Sequence, residues 1–66
     1  MRIVVNGQGR EEAAGLTMQD LLGRLSLEPR RVAVELNKAI LPRARYGQTL
    51  LQEGDVLEIV TLVGGG

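Results

Sequence analysis

Val56-Leu57-Glu58-Ile59-Val60-Thr61-Leu62-Val63 alternates along its length. Successive side chains of an extended strand point to opposite faces. Leu57, Ile59, Thr61 and Val63 therefore share one side, and Val56, Glu58, Val60 and Leu62 share the other. The stretch follows Gln52-Glu53-Gly54-Asp55, a turn by composition, and runs into Gly64-Gly65-Gly66. Three such residues reach at most about 10 Å beyond the last ordered one, and no Cβ keeps their backbone from approaching another surface. Taken alone, a glycine-rich end is slack chain. The alternative is a terminal carboxylate carried into the active site of another protein. We read residues 1–63 as one domain and 64–66 as a flexible C-terminal tail, and the remainder of the chain weighs the two readings.

At the other end, Ile3-Val4-Val5 is β-branched and stops at Asn6-Gly7, a strong hairpin signal. Gln8-Gly9 is expected to lengthen the turn, with Arg10 to Ala14 as the return strand. Thr17-Met18-Gln19-Asp20 fits a capping box with Asp20 in the usual place of Glu or Gln, and Leu16 and Leu21 stand at staple positions. Met18, Leu21, Leu22 and Leu25 form one apolar stripe. Asp20 and Arg24 are spaced to pair weakly, and Pro29 rules out a long extension. So short a helix does not persist alone in water, so it must pack on a sheet. Val32-Ala33-Val34-Glu35-Leu36 alternates, Asn37-Lys38 turns, and Ala39-Ile40-Leu41 is a short strand stopped by Pro42. Arg43 to Gly47 reads as a loop, and Thr49-Leu50-Leu51 as a short edge strand or turn. A hairpin, one crossing helix and a return to a mixed sheet make an α+β domain. The layout resembles the β-grasp, or ubiquitin-like, fold, with four to five strands packed on one main helix. That fold sets the last strand beside the first and would bury Ile3, Val5, Leu57 and Ile59 beneath the helix stripe.

Composition narrows the chemistry. A chain of 66 residues buries only about 60% of its unfolded surface, so its core is small. Eight basic and eight acidic residues cancel, so no net field draws the chain to nucleic acid or membrane. Tyr46 is the only aromatic residue, and there is no cysteine or histidine. Thiol nucleophiles, imidazole bases and structural zinc are thereby excluded from this chain. The first apolar run is too short for a signal peptide and no stretch approaches a membrane span. The expected location is the cytoplasm.

Gly7-Gln8-Gly9 lacks the remainder of either nucleotide-binding fingerprint and reads as a hairpin turn. Glu11, Glu12, Glu28, Glu35, Glu53, Asp55 and Glu58 show no metal-loop spacing and read as solvated surface. Arg30-Arg31 and Arg43-x-Arg45 read as ordinary surface charge, with contact to an acidic partner as the alternative. Val60 and Leu62, joined by Val4, fall on the open face of the sheet if Leu57 and Ile59 face the helix. Scattered surface aliphatics are normal, but a patch leading directly into the glycine tail favours a partner surface. The tail itself holds the one group suited to chemistry. An α-carboxylate is ionised at neutral pH and can attack the α-phosphorus of ATP, giving a mixed anhydride open to a sulfur nucleophile.

Asn37-Lys38-x-Ile40-Leu41-Pro42-Arg43-x-x-Tyr46, Gln52-Glu53-Gly54-Asp55, Glu58-Ile59-Val60 and the terminal Val63-Gly64-Gly65-Gly66 together resemble the ThiS family. These are the ThiS/MoaD-like sulfur carriers of thiamine biosynthesis. The resemblance implies a protein co-substrate and not an enzyme. Gly66 would be adenylated by a ThiF-type enzyme with ATP and magnesium, neither bound by this chain. A sulfurtransferase or persulfide donor would convert it to a thiocarboxylate, and the thiazole synthase ThiG would accept the sulfur. Gly64 and Gly65 would thread the partner's active site. Related carriers (the molybdopterin-synthase small subunit, tRNA-thiolation or ubiquitin-like modifiers) share the diglycine end, and a β-grasp interaction module with a slack end is a third reading.

Overall fold

The computed structural model describes residues 1–63. Strand β1 (Arg2–Val5) pairs antiparallel with β2 (Gln8–Glu11). Helix α1 (Met18–Arg24) follows, and a 3-10 turn at Pro29–Arg31 leads into β3 (Val32–Leu36). β3 turns back into β4 (Ala39–Leu41), a second 3-10 turn spans Arg43–Gln48, and β5 (Val56–Thr61) closes the sheet. The strand order is β2-β1-β5-β3-β4, with β1 and β5 parallel and the other pairs antiparallel. This is the β-grasp arrangement, with five strands and the last beside the first.

Local chemistry explains the elements. Asn6 (φ 51°) and Gly7 (φ 81°) supply the two positive φ angles of a two-residue hairpin turn, and Asn37 (φ 52°) and Lys38 (φ 73°) do the same between β3 and β4. The first hairpin is therefore tighter than the sequence reading expects. Two residues complete the turn, so β2 resumes at Gln8 and ends at Glu11, instead of running from Arg10 to Ala14. At α1, the Asp20 N–H donates to Thr17 Oγ1 at 3.1 Å and the Thr17 N–H donates to Asp20 Oδ2 at 3.0 Å. That capping box satisfies amides the helix leaves open and is worth about 1 kcal/mol. Leu25 caps the C-terminus and is only half-buried, so the buried stripe is Met18, Leu21 and Leu22.

Ile3, Val5, Leu57 and Ile59 are buried, as expected of strand faces beneath the helix, and Val32 and Val34 extend that layer. Tyr46 and Leu51 close the core from the segment after β4. Arg43–Gly47 is thus more than a loop, because its 3-10 turn drives the one aromatic ring into the interior. Thr49–Leu51 makes a single bridge, Leu50 to Thr17. β5 ends at Thr61 and not at Val63, because its partner β3 begins at Val32, opposite Thr61.

Candidate functional site

β5 is fastened by two asparagines, one from each tight turn. The Ile59 N–H donates to Asn6 Oδ1 at 2.8 Å, and Asn6 Nδ2 donates to the Ile59 carbonyl at 3.0 Å. The Asn6 amide thus stands in for a strand residue where β1 has already turned away. At the other end, the Val56 N–H donates to Asn37 Oδ1 at 2.9 Å and the Asn37 N–H donates to the Val56 carbonyl at 2.8 Å. Just past Thr61 the Leu62 N–H donates to the Arg31 carbonyl at 2.8 Å. The chain leaves the sheet there, through a fully exposed Val63. Gly64, Gly65 and Gly66 lie outside the described residues.

Next to this exit the open sheet face is apolar. Val60 is 57% exposed, Leu62 49% and Ile40 80%. Ala33 lies directly across from Val60, and Glu35 across from Glu58. Together with Ile40 these side chains border a shallow depression of about 170 Å³. Val4 stands elsewhere. It is half-buried beside Val56, and the four-residue step from Val56 to Val60 spans about 13 Å of strand. The structure groups Val60 with Ala33 and Ile40 in one depression, whereas Val4 belongs to the start of β5.

Elsewhere the polar groups are tied to the fold. Glu12 is a carboxylate almost wholly shielded from solvent, with Arg10 Nη2 at 2.8 Å and Arg24 Nε at 2.7 Å from its two oxygens. The Arg10 hydrogen bond, outweighing burial and assisted by the charge of Arg24, holds its pKa below the usual 4.5. Glu12 is therefore interior, contrary to its reading as solvated surface, and it takes Arg24 away from Asp20. Asp20 is also held below its usual value, by the Thr17 backbone and hydroxyl of the capping box. Burial pushes the Tyr46 phenol up, partly offset by Arg43. Among the described residues no three carboxylates converge in a metal-binding group, and no helix is long and apolar enough to cross a membrane. A second cleft of about 350 Å³, between Asn6, Gln8 and Arg10 on one side and Leu25 and Leu27 on the other, brings together no acid–base or nucleophile pair among the described residues. What the geometry presents is an exit strand, firmly anchored, with an apolar face beside it.

The family model described as the ThiS family matches residues 3–66. The chain belongs to the ThiS family. Over its full length it is 33% identical to the sulfur carrier protein ThiS of Escherichia coli, which it covers completely. The crystal structure of a thiamine biosynthesis protein (ThiS) from Geobacter metallireducens superposes with a TM-score of 0.85 at 33% identity, covering 100% of both chains. The chain is also 46% identical over all 66 residues to the thiazole synthase of Paramagnetospirillum magneticum, of which it spans 20%. The ThiS resemblance drawn from the sequence motifs is thus correct. Among those motifs, Asn37 and the Gln52–Asp55 turn fix the start of β5, where Gln52 N–H donates to Asp55 Oδ2 at 2.8 Å. Tyr46 is a core residue. The Asn6 clamp escaped the sequence reading, which saw only a turn former. Its signal is an amide, able both to donate and to accept, at a turn position that aspartate or glycine would also fit.

Proposed function

We propose that this chain is a sulfur carrier of thiamine biosynthesis, acting as a protein co-substrate whose Gly66 carboxylate carries the sulfur. The observation that carries the reading is the anchored exit of β5 beside an apolar face, in a ThiS-family chain whose family match runs to residue 66. In this reading the Gly66 carboxylate attacks the α-phosphorus of ATP, held with magnesium by a ThiF-type enzyme, and pyrophosphate leaves. A persulfide from a sulfurtransferase attacks the acyl carbon and AMP leaves. A thiol then cleaves the S–S bond to release the thiocarboxylate. Gly64 and Gly65 pass through the partner's channel because they carry no Cβ.

A ThiG-type thiazole synthase is the proposed acceptor. The 66-residue match within a protein named thiazole synthase, of which the chain spans 20%, supports this. The Val60–Leu62 face is proposed as the surface on which these partners seat. The expected setting is the cytoplasm, with no nucleic acid or membrane involved. Intact-mass measurement after incubation with ATP, magnesium, a ThiF-type enzyme and a persulfide donor tests the proposal. One oxygen should be exchanged for sulfur, and deletion of Gly66 should abolish the change. An unaltered mass with several active ThiF-type enzymes would sink the carrier reading.

A further inference from the structure

The two arginine pairs noted in the sequence, Arg30-Arg31 and Arg43-x-Arg45, lie far apart along the chain, yet the fold brings them to one end. Arg30 and Arg31 belong to the 3-10 turn before β3, and Arg43 and Arg45 to the 3-10 turn after β4. The two turns contact each other. Register explains why: Leu41 pairs with Val34 as β4 runs back toward the start of β3, so the turn that opens at Arg43 begins near the end of β3 into which the Pro29–Arg31 turn leads. β5 leaves at this same end, with Leu62 bonded to the Arg31 carbonyl. All four arginines are exposed. Arg31 is paired with Glu28 at 3.1 Å, while Arg30, Arg43 and Arg45 form no ion pair among the described residues. Glu11, Glu53 and Asp55 lie at the opposite end, around the start of β1 and β5, where Arg2, which pairs with Glu11, and Lys38 also stand. The end from which β5 leaves thus gathers arginines without an ion-pair partner among the described residues, in a chain of zero net charge.

We propose that this arginine collar is a steering surface for a protein whose tail-accepting cleft is rimmed by aspartate and glutamate. The inference rests on the carrier reading, because only a tail that enters a partner gives a collar at its base something to meet. Exposed charges act over about 8 Å at physiological ionic strength, comparable with the reach of the three glycines. Complementary fields of this kind raise association rates by about 10- to 1,000-fold, falling steeply with salt. Arginine presents its charge on a long side chain, so the collar can engage a rim while the apolar face is still approaching. Catalysis by the partner, once the tail is seated, does not depend on it.

The test measures association rates with a ThiF-type enzyme at low and high salt, for the wild-type chain, for Arg30→Glu/Arg43→Glu/Arg45→Glu, and for the corresponding triple lysine variant. The Arg31–Glu28 pair is left intact, and circular dichroism checks the fold. We expect the glutamate variant to associate at least about tenfold more slowly at low salt, with a flattened salt dependence. KM for the carrier should rise while kcat at saturation is unchanged, and the lysine variant should match wild type. Wild-type rates in a folded glutamate variant overturn the proposal, as does a lysine variant as impaired as the glutamate one. Arginine-dependent binding of a short DNA oligonucleotide by the wild-type chain also overturns it, by assigning the collar to phosphate. A wild-type chain that does not bind the enzyme overturns the carrier reading along with it.

Discussion

Asn6 is asked to do two things at once, and few residues can do both. It must hold φ at 51°, a conformation in which asparagine is enriched, and it must donate to and accept from Ile59 through one planar amide. Asn6→Gly keeps the first property and removes the second, isolating the clamp. Two net hydrogen bonds are worth about 1–3 kcal/mol, a large share of the roughly 3–10 kcal/mol expected for a domain of this size. Denaturant unfolding should show that loss as a lower midpoint at unchanged slope. A midpoint equal to wild type would mean that pairing with β3, where Ile59 lies opposite Val34, holds this part of β5 without help.

At the scale of elements, the Glu12 carboxylate joins the end of β2 to α1 through Arg10 and Arg24. Its folded pKa is depressed relative to the ordinary 4.5. The stability it contributes is thus fully present above that value and is lost as pH falls through the folded pKa. Asp20 at the capping box acts in the same direction. Thermal melts should show Glu12→Gln below wild type at neutral pH, with the gap narrowing as the pH drops below the ordinary carboxylate range. A gap independent of pH would point to packing instead of charge. Elements whose residues declare their partners locally were legible in the sequence: the alternation of β3 and β5, the capping box of α1, and the Asn37-Lys38 turn. β2 was not, because Gln8-Gly9-Arg10 has little strand preference and is drawn into the sheet by the turn and by β1. The Arg24–Glu12 contact was also hidden, since it exists only once β2 and α1 have docked.

For the molecule as a whole, one sheet face is buried under α1 while the other stays open, and the open face adjoins the exit of the chain. Val60→Asp tests whether that face is used. The side chain is 57% exposed, so the change should alter stability by no more than about 0.5 kcal/mol. Its effect should appear in thiocarboxylate formation, as a KM for the carrier raised about tenfold or more, consistent with loss of an anchor worth at least 1.4 kcal/mol. Normal conversion would remove the face from the mechanism. The sequence placed Val60 and Leu62 on this face through period-two alternation. It could not separate them from Val4, because that depends on the stagger between β1 and β5, which no local pattern encodes.

Parallel pairing of the first strand with the last has a mechanical consequence. β1 enters the pair at Arg2 and β5 leaves it at Thr61, so the chain ends depart in opposite directions. Tension between them slides one strand along the other and does not peel them apart. The Val4 and Asn6 amide bonds to Asp55 and Leu57, together with the Asn6 side-chain pair, then bear the load simultaneously in shear. A pull on the chain beyond Val63 meets the whole seam at once, and the body of the protein follows its end as a single rigid piece.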